Sequence, residues 1–331
     1  MDAITQGLLG AAAAQAVLGS RLGKRAWLYG AVGGMAADLD ILIRSADDPL
    51  VAWRFHRNFT HSLAFIPVGG LLASLPWTLR KRHAHERRTI ALGTTVGYAT
   101  HALLDAFTSY GTMLLWPFSD LRVAWSWVAI VDPIYSGILA AGVILAARRA
   151  SMRPARLALL LSSLYLVFCF AQRSRVLAAV EAQAAERGHA VERIDAFPSP
   201  PTNLVWRTVY LSDGELWVDQ VRVPWWSPAV LRPGGSIPLV TEDGLSDAMR
   251  ADPEALAGFR LFRWFAREWV AWDPDRPDVL GDLRYGMREA DLHSMWGVVL
   301  RPGTPRPVGA YRADMSKALA NRWSDLMGEE P

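Results

Sequence analysis

The chain has 331 residues, 51% of them hydrophobic and 20% charged, with a formal net charge of +3. That length allows two domains of ordinary size, and the single cysteine, Cys169, excludes an intramolecular disulfide and a cysteine metal cage. The basic residues gather in short loops between apolar runs, which is a pattern of membrane topology rather than of nucleic-acid binding.

The opening MDAITQG has no basic stretch ahead of its apolar run, so it does not resemble a cleaved signal peptide. Six apolar runs follow in 1–173, at about 3–19, 26–43, 62–79, 89–109, 128–147 and 155–171. Each is near the roughly 20 residues a spanning helix needs, and the first is short and Ala-rich. The predicted fold is therefore mainly α, a polytopic transmembrane bundle of about six spans. Arg21, Lys24 and Arg25 follow the first run, Arg80, Lys81, Arg82, Arg87 and Arg88 the third, and Arg148, Arg149, Arg153 and Arg156 the fifth. The alternate loops carry only Arg44, Arg54, Arg57 and Arg122. The positive-inside rule puts the first set in the cytoplasm and everything after the sixth run outside, which in a two-membrane bacterium is the periplasm. Trp27 and Trp77 at predicted inner ends, and Trp53, Trp116, Trp125 and Trp127 near outer ends, suit the interfacial preference of indole.

Ionisable groups in or beside spans are costly and mark candidate functional sites. Asp38 and Asp40 end the second run, His56 and His61 precede the third, His101 and Asp105 lie late in the fourth, and Asp132 opens the fifth. The charge-derived topology brings all seven to the outer side. His101 and Asp105, four apart, share a helix face. Asp38 and Asp40, two apart, cannot, so one is expected as a ligand and the other in support of it. Thr60 or Ser62 can cap a helix start between His56 and the third run. Neutral imidazole with carboxylate suits zinc, manganese or iron, and Arg57 can hold an anionic group. His83 and His85 sit in a basic loop on the other side, and His189 and His293 have no ligand partner at useful spacing.

The strings AADLDIL, HRNFTHSL and THALLDAFTSYGTMLLWPFSD, followed by VDPIY, resemble the membrane-bound metal-dependent hydrolase family of the YdjM/YfhP type over roughly the first 170 residues. The resemblance implies a metal-dependent hydrolase of the bacterial inner membrane, with the family's motifs falling on Asp40, His56, His61, His101 and Asp105. Many relatives carry a His where this chain has Gln6, and position 6 is left out of the metal set.

Residues 174–331 read as a small α+β extracytoplasmic domain. A basic, Ala-rich helix is expected to about Gly188. LVWRTVYLSDGELWVDQVRV predicts a hairpin about an SDG turn, 245–269 is helical in pattern, and VLGDLRYGM and MWGVVLRP predict two more strands. Asp282 and Arg284 are expected to pair.

Together these readings predict metal-assisted hydrolysis at the outer membrane–water interface. One or two divalent ions, zinc foremost, are expected among Asp40, His56, His61, His101 and Asp105. Asp38 or Asp132 would orient water and Arg57 would stabilise developing charge. Membrane lipids are the expected partners and a lipid-linked ester, a phosphoester above all, the expected substrate, with no nucleic acid involved. The alternative is a non-catalytic metal-stabilised scaffold or an ion or proton transporter. A transporter needs polar groups through to the inner face, where these runs offer few. No Walker-type loop and no GxSxG elbow is present.

Overall fold

The computed structural model describes residues 1–45 and 48–314. The chain divides into two compact units, one formed by 1–43, 55–170 and 200–202 and the other by 44–54, 171–199 and 203 onward. The end of the expected second domain, 315–331, lies outside the described residues.

The first unit is helical. Helix α1 (Ala3–Leu22) is capped by Asp2, whose carboxylate accepts from the Ile4 and Thr5 amides. After it come α2 (Ala26–Ala36), a tight 3-10 turn over Ala37–Leu42, α4 (Ile66–Thr78), α5 (Arg87–Ala106), α6 (Pro133–Arg149) and the start of α7 (Arg153–Glu186), while the short α3 (Val51–Phe55) falls almost wholly in the second unit. Helix α1 packs on α2, α5 and α6. Its small residues allow this: Ala11, Ala12, Ala13 and Ala14 are all buried. A Cβ on Gly30 of α2 would lie 2.1 Å from the Gly10 carbonyl, and one on Gly97 of α5 would lie 2.1 Å from the Gly30 carbonyl. Three helices thus touch backbone to backbone, as small residues permit in membrane bundles. Leu104, Val128, Tyr135, Leu139 and Leu166 close the centre around Met1 and Ala12.

The six runs predicted as spans fall on α1, α2 with its 3-10 turn, α4, α5, α6 and the first half of α7. Among the described residues, α7 alone is long and apolar enough to cross a membrane by itself; Val51–His61 with Leu63–Thr78, bent by 61°, passes as a pair. Helices α2 and α4 are short, at 11 and 13 residues. Helix α5 dilutes its apolar length with Thr94, Thr95, Thr100, His101 and Asp105.

The second unit is α+β. The C-terminal part of α7, a single 34-residue helix, supplies Val176, Val180 and Ala184. They pack on an antiparallel meander of β1 (Arg193–Pro198), β2 (Val205–Ser212), β3 (Glu215–Arg222) and β4 (Val230–Pro238). The period of two shows in β2. Trp206 and Tyr210 belong to the cluster around α7, and Val209 to the cluster with Trp269, Ala271 and Leu283 on the other face. The predicted hairpin is β2–β3, where Asp213 and Gly214 form a two-residue turn, both at positive φ. Helices α8 (Asp247–Ala251) and α9 (Pro253–Phe265) then lead to a second meander of β5 (Val270–Asp273), β6 (Arg276–Asp282), β7 (Trp296–Leu300) and β8 (Val308–Arg312). Strands β6 and β7 are the two predicted beyond the hairpin.

Three charged side chains of this unit have structural partners. Arg284 grips Asp282 with two nitrogens, at 2.9 and 2.7 Å, both side chains fully enclosed. Arg207 donates to the carbonyls of Leu283, Arg288 and Glu289, and burial lowers its pKa to about 10. His293 bridges Asp291 at 2.6 Å and Asp275 at 3.1 Å; the Asp291 hydrogen bond raises its pKa above the ordinary imidazole value.

Candidate metal centre

Three segments of the first unit deliver the site. Near the end of α5, His101 and Asp105 stand one turn apart on the same face, both fully buried. After α2 the backbone tightens into the 3-10 turn that carries Asp38 and Asp40. The loop before α4 supplies His56, Arg57 and, closing a short 3-10 turn, His61. Ser62 caps the next turn by accepting from the Phe65 amide, as one of the two predicted caps.

Four atoms from these segments converge. His61 Nε2 and His101 Nε2 are 2.9 Å apart. Asp105 Oδ2 lies 3.3 Å from the first and 3.5 Å from the second. Asp38 Oδ1 lies 3.5 and 3.4 Å from the same two nitrogens. In a four-coordinate site with bonds of about 2.0–2.1 Å, ligand atoms sit about 3.3 Å apart; the four imidazole–carboxylate separations match that spacing, and the two imidazole nitrogens lie closer together. The tautomers agree. His101 Nδ1 is 2.5 Å from the Gly34 carbonyl, which can only accept, so Nδ1 carries the proton and Nε2 presents a lone pair. His61 Nδ1 faces the Thr60 hydroxyl at 3.0 Å and Asp40 Oδ2 at 3.3 Å, which turns its Nε2 inward as well. Asp105 Oδ2 is buried and accepts no hydrogen bond among the described residues. Two imidazole lone pairs and a carboxylate oxygen that accepts no hydrogen bond, all aimed at one point, fit a divalent cation.

Asp40 has a different setting. Its Oδ2 accepts from the Arg57 amide at 2.9 Å and the Thr60 hydroxyl at 3.0 Å, and its Oδ1 holds His56 Nδ1 at 2.8 Å. Asp38, Asp40 and His56 also form a second group of ligand-type atoms. Within this second group, Asp40 Oδ1 and His56 Nδ1 meet as a hydrogen-bonded pair at 2.8 Å. His56 is part-exposed, and Asp38 is shared by both groups.

Arg57 is folded inward at positive φ. Its Nε is 3.1 Å from Asp105 Oδ2, its Nη1 donates to Thr108 Oγ1 at 3.1 Å, and its guanidinium lies 4.6 Å above the Tyr110 ring. It is 3% exposed and compensates the carboxylates from within; the expected contact with developing charge on a substrate does not fit this burial. The Met1 amine also ion-pairs with Asp105. Asp132 departs from its expected water-orienting role. It lies outside both clusters and caps α6, accepting from the Ile134 and Tyr135 amides on Oδ1 and from the Tyr165 hydroxyl on Oδ2. Gln6, left out of the metal set in the sequence reading, does reach the centre: its amide nitrogen donates to Asp105 Oδ1 at 2.8 Å. The signal for it was a polar side chain inside an Ala-rich helix. An apolar cavity of about 520 Å³ opens beside the centre, with Asp40 and Thr60 at its polar edge.

A helical bundle holding a buried His/Asp cluster at the junction of three segments defines a protein with a candidate metal centre. The family model of the YdjM inner membrane protein matches residues 1–176, and the chain belongs to that family. No curated protein and no solved structure matches the chain.

Proposed function

We propose that the protein is a metal-dependent hydrolase of the bacterial inner membrane, working on a lipid or lipid-linked ester at the outer membrane–water interface. The observation that carries this reading is the convergence of His61 Nε2, His101 Nε2, Asp38 Oδ1 and Asp105 Oδ2, with each imidazole fixed through its other nitrogen. These four residues would hold the ion, zinc foremost among the metals this donor set suits. A bound divalent ion supplies an acidified water and polarises the ester. The remaining chemistry belongs to the chain. His56, held through Nδ1 by Asp40, has Nε2 available to take the proton of the attacking water and return it to the leaving oxygen. Water oxygen bonds to the ester centre, the bond to the leaving oxygen breaks, and the proton ends on the departing alcohol. Arg57 offsets the negative charge of Asp105 throughout. The basic loops after the first, third and fifth runs support a cytoplasmic side opposite the centre and a periplasmic second unit.

The test is hydrolysis of p-nitrophenyl alkyl phosphate by purified protein in lipid nanodiscs. Activity lost on chelation and restored by zinc, with His56→Gln reduced about 10²–10⁴-fold, is expected. Activity indifferent to chelator would overturn the reading. A fusion reporter placed after α7 that is active only in the cytoplasm would overturn the orientation.

A further inference from the structure

The apolar cavity beside the centre has a shape that the hydrolase reading leaves unexplained. Its walls are two helix stripes. Val32, Met35, Ala36 and Leu39 recur at helical spacing along α2 and its 3-10 turn, and Gly69, Leu72, Ala73 and Pro76 do the same along α4. These stripes flank a gap instead of closing on each other: Met35 is 40% exposed, Leu39 63% and Leu72 55%. Tyr98 of α5 forms part of the wall, its hydroxyl donating to the Thr60 carbonyl at 2.6 Å. A Cβ on Gly69 would come within 2.2 Å of the Tyr98 ring, so the glycine lets that ring lie flat against α4.

Polarity is confined to one end. Asp40 and Thr60, hydrogen-bonded to each other and both facing His61 Nδ1, line the cavity where it comes beside the metal centre. From Phe65, just before α4, to Pro76 within it the lining spans eleven residue steps, roughly 16 Å at about 1.5 Å per residue. That is about the depth of one leaflet of a bilayer with a ~30 Å hydrocarbon core. A trough one leaflet deep, apolar along its length and ending on Asp40 and Thr60 beside the candidate metal centre, matches one hydrocarbon chain with its head at that end.

We infer that this groove receives a single hydrocarbon chain of the membrane lipid that is hydrolysed, with its phosphoryl head at the Asp38/His61/His101/Asp105 centre. The inference rests on the hydrolase reading for the role of the head, and on the groove alone for the place of the chain. Because surrounding lipid is as apolar as the groove, the groove adds little affinity within a bilayer; it fixes where along the protein the chain lies and so brings the ester to the centre.

The experiment uses the full chain in nanodiscs and an alkyl phosphate carrying a photoreactive diazirine at mid-chain, with metal content measured on the same samples. Labelling of Met35, Leu39, Leu72 and Ala73 should exceed labelling of the exposed Leu160 and Leu164 of α7 at least fivefold. An unlabelled alkyl phosphate should compete, and inorganic phosphate should not. Ala73→Trp and, separately, Ala36→Trp should reduce groove labelling at least fivefold with metal content unchanged. Labelling no greater in the groove than on α7, with metal retained, overturns the inference and leaves the hydrolase reading standing. Groove labelling in protein that takes up no metal sustains the inference for the chain and overturns the hydrolase reading. Competition by inorganic phosphate alone would assign the site to free phosphate and overturn the lipid chain.

Discussion

Replacing Asp40 by Asn tests the proposed proton path without removing any of the four converging ligands. The carboxylate meets two donors on Oδ2, the Arg57 amide and the Thr60 hydroxyl, and His56 Nδ1 on Oδ1. An Asn must turn its NH₂ to one side. Facing Arg57, it sets donor against donor and leaves a buried amide unpaired, at about 1–3 kcal/mol. Facing His56, it makes Nδ1 an acceptor and moves the imidazole proton to Nε2, where it blocks proton acceptance. The second orientation sacrifices fewer hydrogen bonds, so the wrong tautomer is the expected state. The loss should be that of a general base, about 10²–10⁴-fold in kcat, with metal content unchanged because His61 can still donate to the amide oxygen. The assay is turnover of p-nitrophenyl alkyl phosphate, with elemental analysis on the same preparation. Activity within about twofold of wild type, or metal loss as complete as that of His101→Ala, would refute the dyad.

Three further outcomes follow from other parts of the molecule. Asp132→Ala should cost about 1 kcal/mol, as loss of a helix N-cap does, measured by thermal unfolding in detergent, with kcat unchanged; a large fall in kcat at full metal content would return Asp132 to the catalytic set. Arg284→Met leaves the fully buried Asp282 without its cation and should destabilise the second unit by about 3–5 kcal/mol, read as loss of β-sheet signal at lower denaturant; loss under 1 kcal/mol would contradict the pairing. His293 has its pKa raised in the fold, so the stability it contributes is full below the ordinary imidazole pKa and disappears as pH rises through the folded value. With its side chain 37% exposed, solvent screening holds that contribution to about 1 kcal/mol or less. His293→Gln should therefore lower Tm at pH 6 and leave it unaltered at pH 9; an equal loss at both would show that the charge is irrelevant.

The sequence made the centre legible where local geometry fixes it. His101 and Asp105 lie four apart in a helix, and that spacing determines their shared face. The roles of Asp38 and Asp40 could not be read this way, because α2 changes to 3-10 winding just before them and re-aims both side chains. Asp132 carried a readable signal that the functional reading overrode: an Asp directly before Pro133 is a helix start, with Pro at the first position. Arg57 was read as an open cation from its neighbours, but positive φ turns it inward, which no residue pattern announces. In the second unit the hairpin announced itself through Asp213–Gly214. Strand β4 did not, since Pro233, Gly234, Gly235 and Pro238 interrupt any alternation; an edge strand tolerates them because only one side of it needs partners. The runs predicted as spans are broken in the fold at α2 and α4, which as helices measure 11 and 13 residues and continue through 3-10 turns.

The most direct test of the account is the metal content of the purified full chain, by elemental analysis, for wild type and for His61→Ala, His101→Ala, Asp38→Ala and Asp132→Ala. About one divalent ion per chain in wild type and Asp132→Ala, with at least tenfold less in the other three, is the predicted pattern. Equal content in wild type and His101→Ala, or none in any of the five, would contradict a metal centre at the meeting of these segments.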